Sequence, residues 1–379
     1  MGLSLILLAA ISACTDEMEN GGSAPGMDDH RISFAVSTQN QTNGTRSAVS
    51  PETHELGSVE MQGTLDGKPL FLSAEVADGF PCDHQPSTRG TQVTAPAQMD
   101  EFSVSAEIGG GYGEPSVLDL MYNVKVTKGD ATSTNWTTAK PYYWPTGQTL
   151  SFYAWYPYNS KNLTIPNDNN VAGTELSYEI PALVADHEDF MMSKAFKVTE
   201  SGSAVPLHFY HMLTAVKFKT GNNIPACHIK SITLKNVKYK GTHSYHATGS
   251  GIAPWTLDAD TKSFTLSVNQ DIAMNTETIL TEDGKTFFMM PQELGDEARL
   301  EVNLVVDGAE KTLGVNLKDL STHWTAQSTV TYKISFQDNI ELDLSKDVFV
   351  ASGDDAVIYV KSNLDWVCAL SDPNGITGD

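Results

Sequence analysis

The chain has 379 residues, enough for two globular domains and part of a third. Hydrophobic residues make up 40% and can fill cores, while 29 glycines and 17 prolines favour many turns between short strands over long helices. With 24 Lys and Arg against 47 Asp and Glu, the net charge of -23 repels phosphate backbones and anionic lipid faces, which excludes nucleic acid as a partner.

Residues 1–13 read as a signal peptide: the apolar run Leu3 to Ala13 is too short to span a ~30 Å hydrocarbon core and suits an export signal. It ends in Ile11-Ser12-Ala13-Cys14, which resembles a lipobox, so Cys14 is the expected lipidation site. Thr15 to Glu19 (TDEME) resembles the acidic tag of surface lipoproteins in Bacteroidales-type bacteria. The expected localisation is therefore the cell surface, anchored to outer-membrane lipid through Cys14. Residues 14–30 are polar and Gly-rich, the composition of a flexible tether.

From Arg31 onward the dominant period is two, the signature of half-buried strands, and the fold class is all-β. In chain order the alternations are Ile32, Phe34, Val36; Phe102, Val104, Ala106, Ile108; Leu150, Phe152, Ala154, Tyr156; Phe264, Leu266, Val268; and Val330, Tyr332, Ile334, Phe336. Asp66-Gly67 and Asp307-Gly308 supply the positive φ angles that tight hairpins demand, the first joining Val59–Leu65 to Leu70–Val76 and the second joining Leu300–Val306 to Leu313–Leu317. Only Leu183 to Lys197 has spacing suited to a helix. Between Val205 and Thr220 the inward phase runs Leu207, Phe209, His211, Leu213 and then shifts to Val216 and Phe218, which requires a bulge or break near Thr214. Two β-sandwiches are expected, over residues 31–200 and 201–338, with Thr199 to Ala204 as the linker. Residues 339–379 open a further β-module with its own turn at Ser352-Gly353-Asp354 and its own Trp366, and do not close it by Asp379.

No catalytic constellation is present, and the chain is expected not to be an enzyme. Gly109 to Gly113 lacks the helix a dinucleotide site needs. On a strand His208 and His211 point to opposite faces and cannot share a metal, and His211 shares the core phase of Leu207 and Phe209. His243, His246 and the Asn167 to Asn170 turn lack a usable ligand pattern, so no metal or cofactor is expected. The cysteines Cys14, Cys82, Cys227 and Cys368 lie too far apart for a local metal knuckle; with Cys14 acylated, three remain, and at least one is a buried thiol. The series Tyr142, Tyr143, Trp144, Tyr153, Trp155, Tyr156, Tyr158 is dense enough to stack sugars. It supports an alternative function as a glycan-binding surface lipoprotein of a nutrient-uptake system.

Lys140 to Tyr158 (KPYYWPTGQTLSFYAWYPY) resembles the fimbrillin family of Bacteroidales fimbrial subunits, and other blocks agree in order: Thr88 to Thr91 (TRGT), Asp189 to Ser193 (DFMMS), Val205 to Phe218, Phe287 to Gln292 (FFMMPQ) and Trp324 to Phe336. The resemblance implies two transthyretin-like β-sandwiches in tandem, exported as a lipoprotein and assembled with other fimbrial subunits by donor-strand exchange, or acting as an adhesin toward a host or bacterial receptor or glycan. It further implies cleavage after an arginine that removes the first strand, with Arg46 as the first candidate and Arg89 as the second. The tail from Leu342 resembles the opening of a BACON-type Ig-like module and departs from a plain stalk subunit, favouring an accessory or tip role.

Overall fold

The computed structural model describes residues 30–38, 53–65, 67–80, 92–109, 118–129, 135–165, 175–245, 254–282, 284–320, 323–336, 340–344 and 358–362. Among them there is no α-helix, as the period of two requires. Two β bodies account for most strands. In chain order these are β1 (Phe34–Thr38), β2 (Thr53–Leu65), β3 (Lys68–Asp78), β4 (Glu101–Ile108), β5 (Met121–Lys128), β6 (Asn135–Thr138), β7 (Thr149–Tyr156) and β8 (Met191–Thr199). They continue with β9 (Val205–His211), β10 (Thr214–Thr220), β11 (Cys227–Lys238), β12 (Thr261–Ile272), β13 (Phe287–Met289), β14 (Arg299–Val306), β15 (Ala309–Asn316) and β16 (Ser328–Phe336).

The first body is a closed barrel in the order β1, β9, β8, β7, β4, β5, β6, with β6 returning to β1. Its interior is aromatic. Phe34 meets Phe102 and Phe152 edge-on, and Phe102 packs on Phe209 and Trp136. The second body is a nine-stranded sheet in the order β12, β11, β14, β15, β2, β3, β16, β10, β13. Its two halves meet at the single pair Gln62–Gly314, where β2 crosses from one to the other. Both halves fill one core, with Leu72, Phe218 and Tyr332 from one and Ile232, Phe264 and Val302 from the other, so this body is a sandwich.

The hairpins form where the turn residues demand them. Asp307 and Gly308 take φ of 49° and 76°, and β14 and β15 zip from Val306–Ala309 outward. Leu65 pairs with Lys68 across the first hairpin, and Gly67 has φ 75°; Asp66 lies outside the described residues. The break expected near Thr214 is real. β9 ends at His211, Met212 and Leu213 intervene, and β10 starts at Thr214 in the other body.

One expectation fails. Leu183 to Lys197 is not a helix: only Val184–Asp186 makes a single 3-10 turn, and β8 follows, paired antiparallel with β7. Tertiary pairing overrides the helical spacing, because Met191, Met192 and Ser193 are buried only when extended beside β7. The small four-stranded sheet of Leu163–Thr164, Glu175–Glu179, Lys240–Ser244 and Thr256–Leu257 lies outside both bodies' main ladders, and Ile340–Leu344 pairs with Ile358–Ser362 as a hairpin. Strands are exchanged across residue 200: the β2–β3 hairpin lies inside the nine-stranded sheet, while β9 belongs to the barrel.

Candidate functional site

β1 is the strand that closes the barrel, and its seat is the candidate site. Parallel pairing runs along β9 from Phe34–Val205 to Thr38–Phe209, and antiparallel pairing on the other edge joins Phe34 to Trp136 of β6. The residues before β1 extend the second edge. Ile32 N donates to Tyr142 O at 2.8 Å and Trp144 N donates to His30 O at 2.9 Å, while Val205 N donates to Ser33 O at 2.8 Å. Alternation then decides what each side chain does: Ile32 and Phe34 are 1% and 0% exposed inside the barrel, and Ser33 and Ala35 take the other phase. Polar contacts pin the ends. His30 contacts Glu200, an Arg31 guanidinium nitrogen donates to Thr138 O at 3.3 Å, Ser37 Oγ lies 2.8 Å from His208 Nδ1, and Thr38 Oγ1 donates to Thr94 O at 3.3 Å.

Extraction of this strand exposes two aromatic or branched side chains, at roughly 1.5–3 kcal/mol each, and leaves two ladders unpaired. It takes no other strand with it. β1 ends at Thr38 and β2 starts at Thr53, so a cut in between separates β1 from the rest of the chain. A cut between β3 and β4 is different, because β3 pairs with β2 on one edge and β16 on the other and carries the buried Leu70, Leu72 and Ala74. The chain re-enters the fold firmly after that gap. Val93 N donates to Asp189 Oδ2 at 2.8 Å, Gln92 Nε2 donates to Thr329 Oγ1 at 3.1 Å, and the other Asp189 oxygen accepts from His211 Nδ1 at 2.8 Å. His211 is fully buried and stacked on Phe80, a core histidine as its phase requires.

Arg46, Arg89 and Cys14 lie outside the described residues, as do Cys82, Cys368, His246 and Asn167 to Asn170. Cys227 is a buried thiol, its acidity pushed to about 11 by desolvation. His243 is buried on its own short strand. Among the described residues no group of three or more His, Cys, Asp or Glu is placed to hold a metal ion, and no helix is long and apolar enough to cross a membrane. The aromatic series is divided: Trp144, Tyr153 and Trp155 are buried, Tyr142, Tyr156 and Tyr158 half-buried, and Tyr143 alone of the seven is exposed. Period two identified the inner phase of β4 and β7 but missed that their outer phase is also covered. Tyr153 and Trp155 pack into the second core, and Tyr153 donates to the buried Glu107 at 2.5 Å. Burial first, then Glu107, holds that phenol far above its ordinary acidity range.

A family model described as fimbrillin-like matches residues 88–348. The fold is similar to that of a candidate cell adhesion protein from Bacteroides ovatus, at 14% identity and a TM-score of 0.45 over 89% of this chain and 98% of the other. A second candidate cell adhesion protein, from Bacteroides uniformis, gives 16% identity and 0.42 over 69% and 91%. The fimbrial anchor protein Mfa2 from Porphyromonas gingivalis gives 12% identity and 0.30 over 76% and 94%. No curated protein matches.

Proposed function

From the premise that the chain belongs to the fimbrillin-like family, and is thus a fimbrial or adhesin-type surface protein, we propose that it is a lipoprotein anchored through Cys14 that joins other fimbrial subunits by strand exchange at the seat of β1. One observation carries this reading: the segment Ile32 to Thr38 closes the barrel with Ile32, Phe34 and Thr38 fully buried, yet it is joined to the rest of the fold by chain that starts after Thr38 and ends before Thr53. Cleavage after Arg46 removes that strand together with the Cys14 anchor, and no other strand of the two bodies. A partner strand with matching alternation then regains both ladders and refills the space of Ile32 and Phe34.

Arg89 is the weaker candidate on physical grounds. A cut there reaches the tether of β2 and β3, which lie between β15 and β16 inside the nine-stranded sheet, so their loss opens the second core. The hairpin of Ile340–Leu344 with Ile358–Ser362 supports a β-module after the second body, and with it an accessory or tip position. The nutrient-uptake alternative loses its sugar platform, because Trp144, Tyr153 and Trp155 are buried.

N-terminal sequencing of subunits stripped from cell-surface fibres tests the proposal. Ser47 as first residue is expected. Fibres whose subunits all keep an acylated Cys14 exclude processing, and Gly90 as first residue excludes the preference for Arg46.

A further inference from the structure

On the outer face of the second body, β2, β3, β16 and β10 line an open groove of about 310 Å³, near the lower bound of small-ligand sites. Its floor is a sheet face and not an edge. β3 bonds to β2 and β16, and β16 bonds to β3 and β10, so the main-chain ladders of the floor are already engaged. An extended peptide cannot add there as a strand, and recognition has to run through side chains.

Those side chains have a consistent chemistry. Lys219 lies 3.3 Å from Glu75 and 3.8 Å from Glu277, so its charge is already compensated by two carboxylates. Glu55 and Lys333 also line the groove, giving three carboxylates against two ammonium groups, a near balance that gives neither a bare anion nor a bare cation a strong hold. Hydroxyl groups of Ser58, Ser73, Thr331 and Ser335 supply both donors and acceptors. Half-buried Phe71 adds an aromatic surface among them. Donors and acceptors around two half-buried aromatic side chains, Phe71 and Phe336, match a ligand that carries hydroxyls on its rim and C–H groups on its faces.

We propose that this groove binds a neutral oligosaccharide. The site is separate from the aromatic series of Tyr142 to Tyr158, whose members belong to the barrel strand β7 and the chain on either side of it. The inference deepens the adhesin side of the proposed function and rests on surface display. It is tested on purified protein, whereas strand exchange is tested on fibres, so either can fail alone.

The experiment is an array of neutral oligosaccharides probed with the full chain, followed by titration calorimetry on the best binder with Phe71→Ala, Lys219→Met and Tyr143→Ala. Both groove variants are expected to weaken binding about tenfold or more with melting temperatures kept near the parent, and Tyr143→Ala is expected to bind like the parent. If Phe71→Ala fails to fold, Lys219→Met carries the test, since it removes the ammonium and keeps the apolar stem. The proposal is overturned if no neutral oligosaccharide binds at millimolar concentration, if binding survives the folded groove variants, or if only acidic glycans or peptides bind.

Discussion

His187 ties the turn before β8 to the second core. It is fully buried; its Nε2 donates to Pro181 O at 3.1 Å, and its Nδ1 accepts from Phe288 N at 3.2 Å. Burial lowers its pKa to about 4, and the carbonyl of Pro181 offsets only part of that. An unfolded chain therefore binds more protons than the folded one between about pH 6.5 and 4. The contribution is complete above about pH 6.5 and falls away as the pH drops to about 4, a loss of roughly 3 kcal/mol. Urea titrations of the parent and His187→Gln across this range are expected to show the parent losing stability more steeply. Equal pH slopes would place the titration elsewhere. Neither role of His187 was legible in the sequence, because both partners, Pro181 O and Phe288 N, are main-chain atoms brought in by packing. His211 was legible, since its strand phase alone put it inside.

At the level of single elements, β1 concentrates its worth in one residue. Phe34 fills the barrel between Phe102 and Phe152, so Phe34→Ala is expected to cost about 3–5 kcal/mol in a urea titration, against a far smaller loss for half-buried Val36→Ala. β2 depends on a glycine instead. Gly63 has φ 111°, and a Cβ there would come within 2.8 Å of Leu313 Cδ2 and 3.3 Å of Thr312 O, at the point where β2 crosses to β15. Gly63→Ala is expected to destabilise by about 1–3 kcal/mol, read as a lower melting temperature, while Gly295→Ala, which meets nothing within 4 Å, is expected to change little. The β14–β15 hairpin could be read from sequence because Asp307-Gly308 specifies its own turn. β8 could not, since Leu183 to Lys197 has helical spacing and only the neighbouring β7 makes it a strand.

Across the whole molecule, sequence order and spatial order part company. Alternation located the inner face of β4, β7, β12, β14 and β16 but passed over β5, β8 and β11, and the phase shift near Thr214 marked the place where the chain leaves the barrel for the sandwich. It carried no information on which strands pair, because Leu70 and Leu72 of β3 would suit either core. This interleaving gives a distinct expectation for limited proteolysis. A nick between residues 38 and 53 is expected to release a fragment carrying β1 on mild denaturation, whereas a nick between residues 80 and 92 leaves β2 and β3 held by their ladders. Size exclusion followed by mass spectrometry checks this: after both nicks, a fragment carrying β2 and β3 that elutes apart from the remainder under native conditions would contradict the pairing.

The geometry of β1 also bears on load. Its hydrogen bonds to β9 and β6 lie across the strand on both edges, so a pull applied lengthwise from its N-terminal end strains both ladders in shear, and they yield together. A pull across the strand opens one bond at a time. The same seat therefore resists tension along its axis while remaining open to sideways peeling, so under the proposed strand exchange a partner strand held there bears traction and is still seated one residue pair at a time.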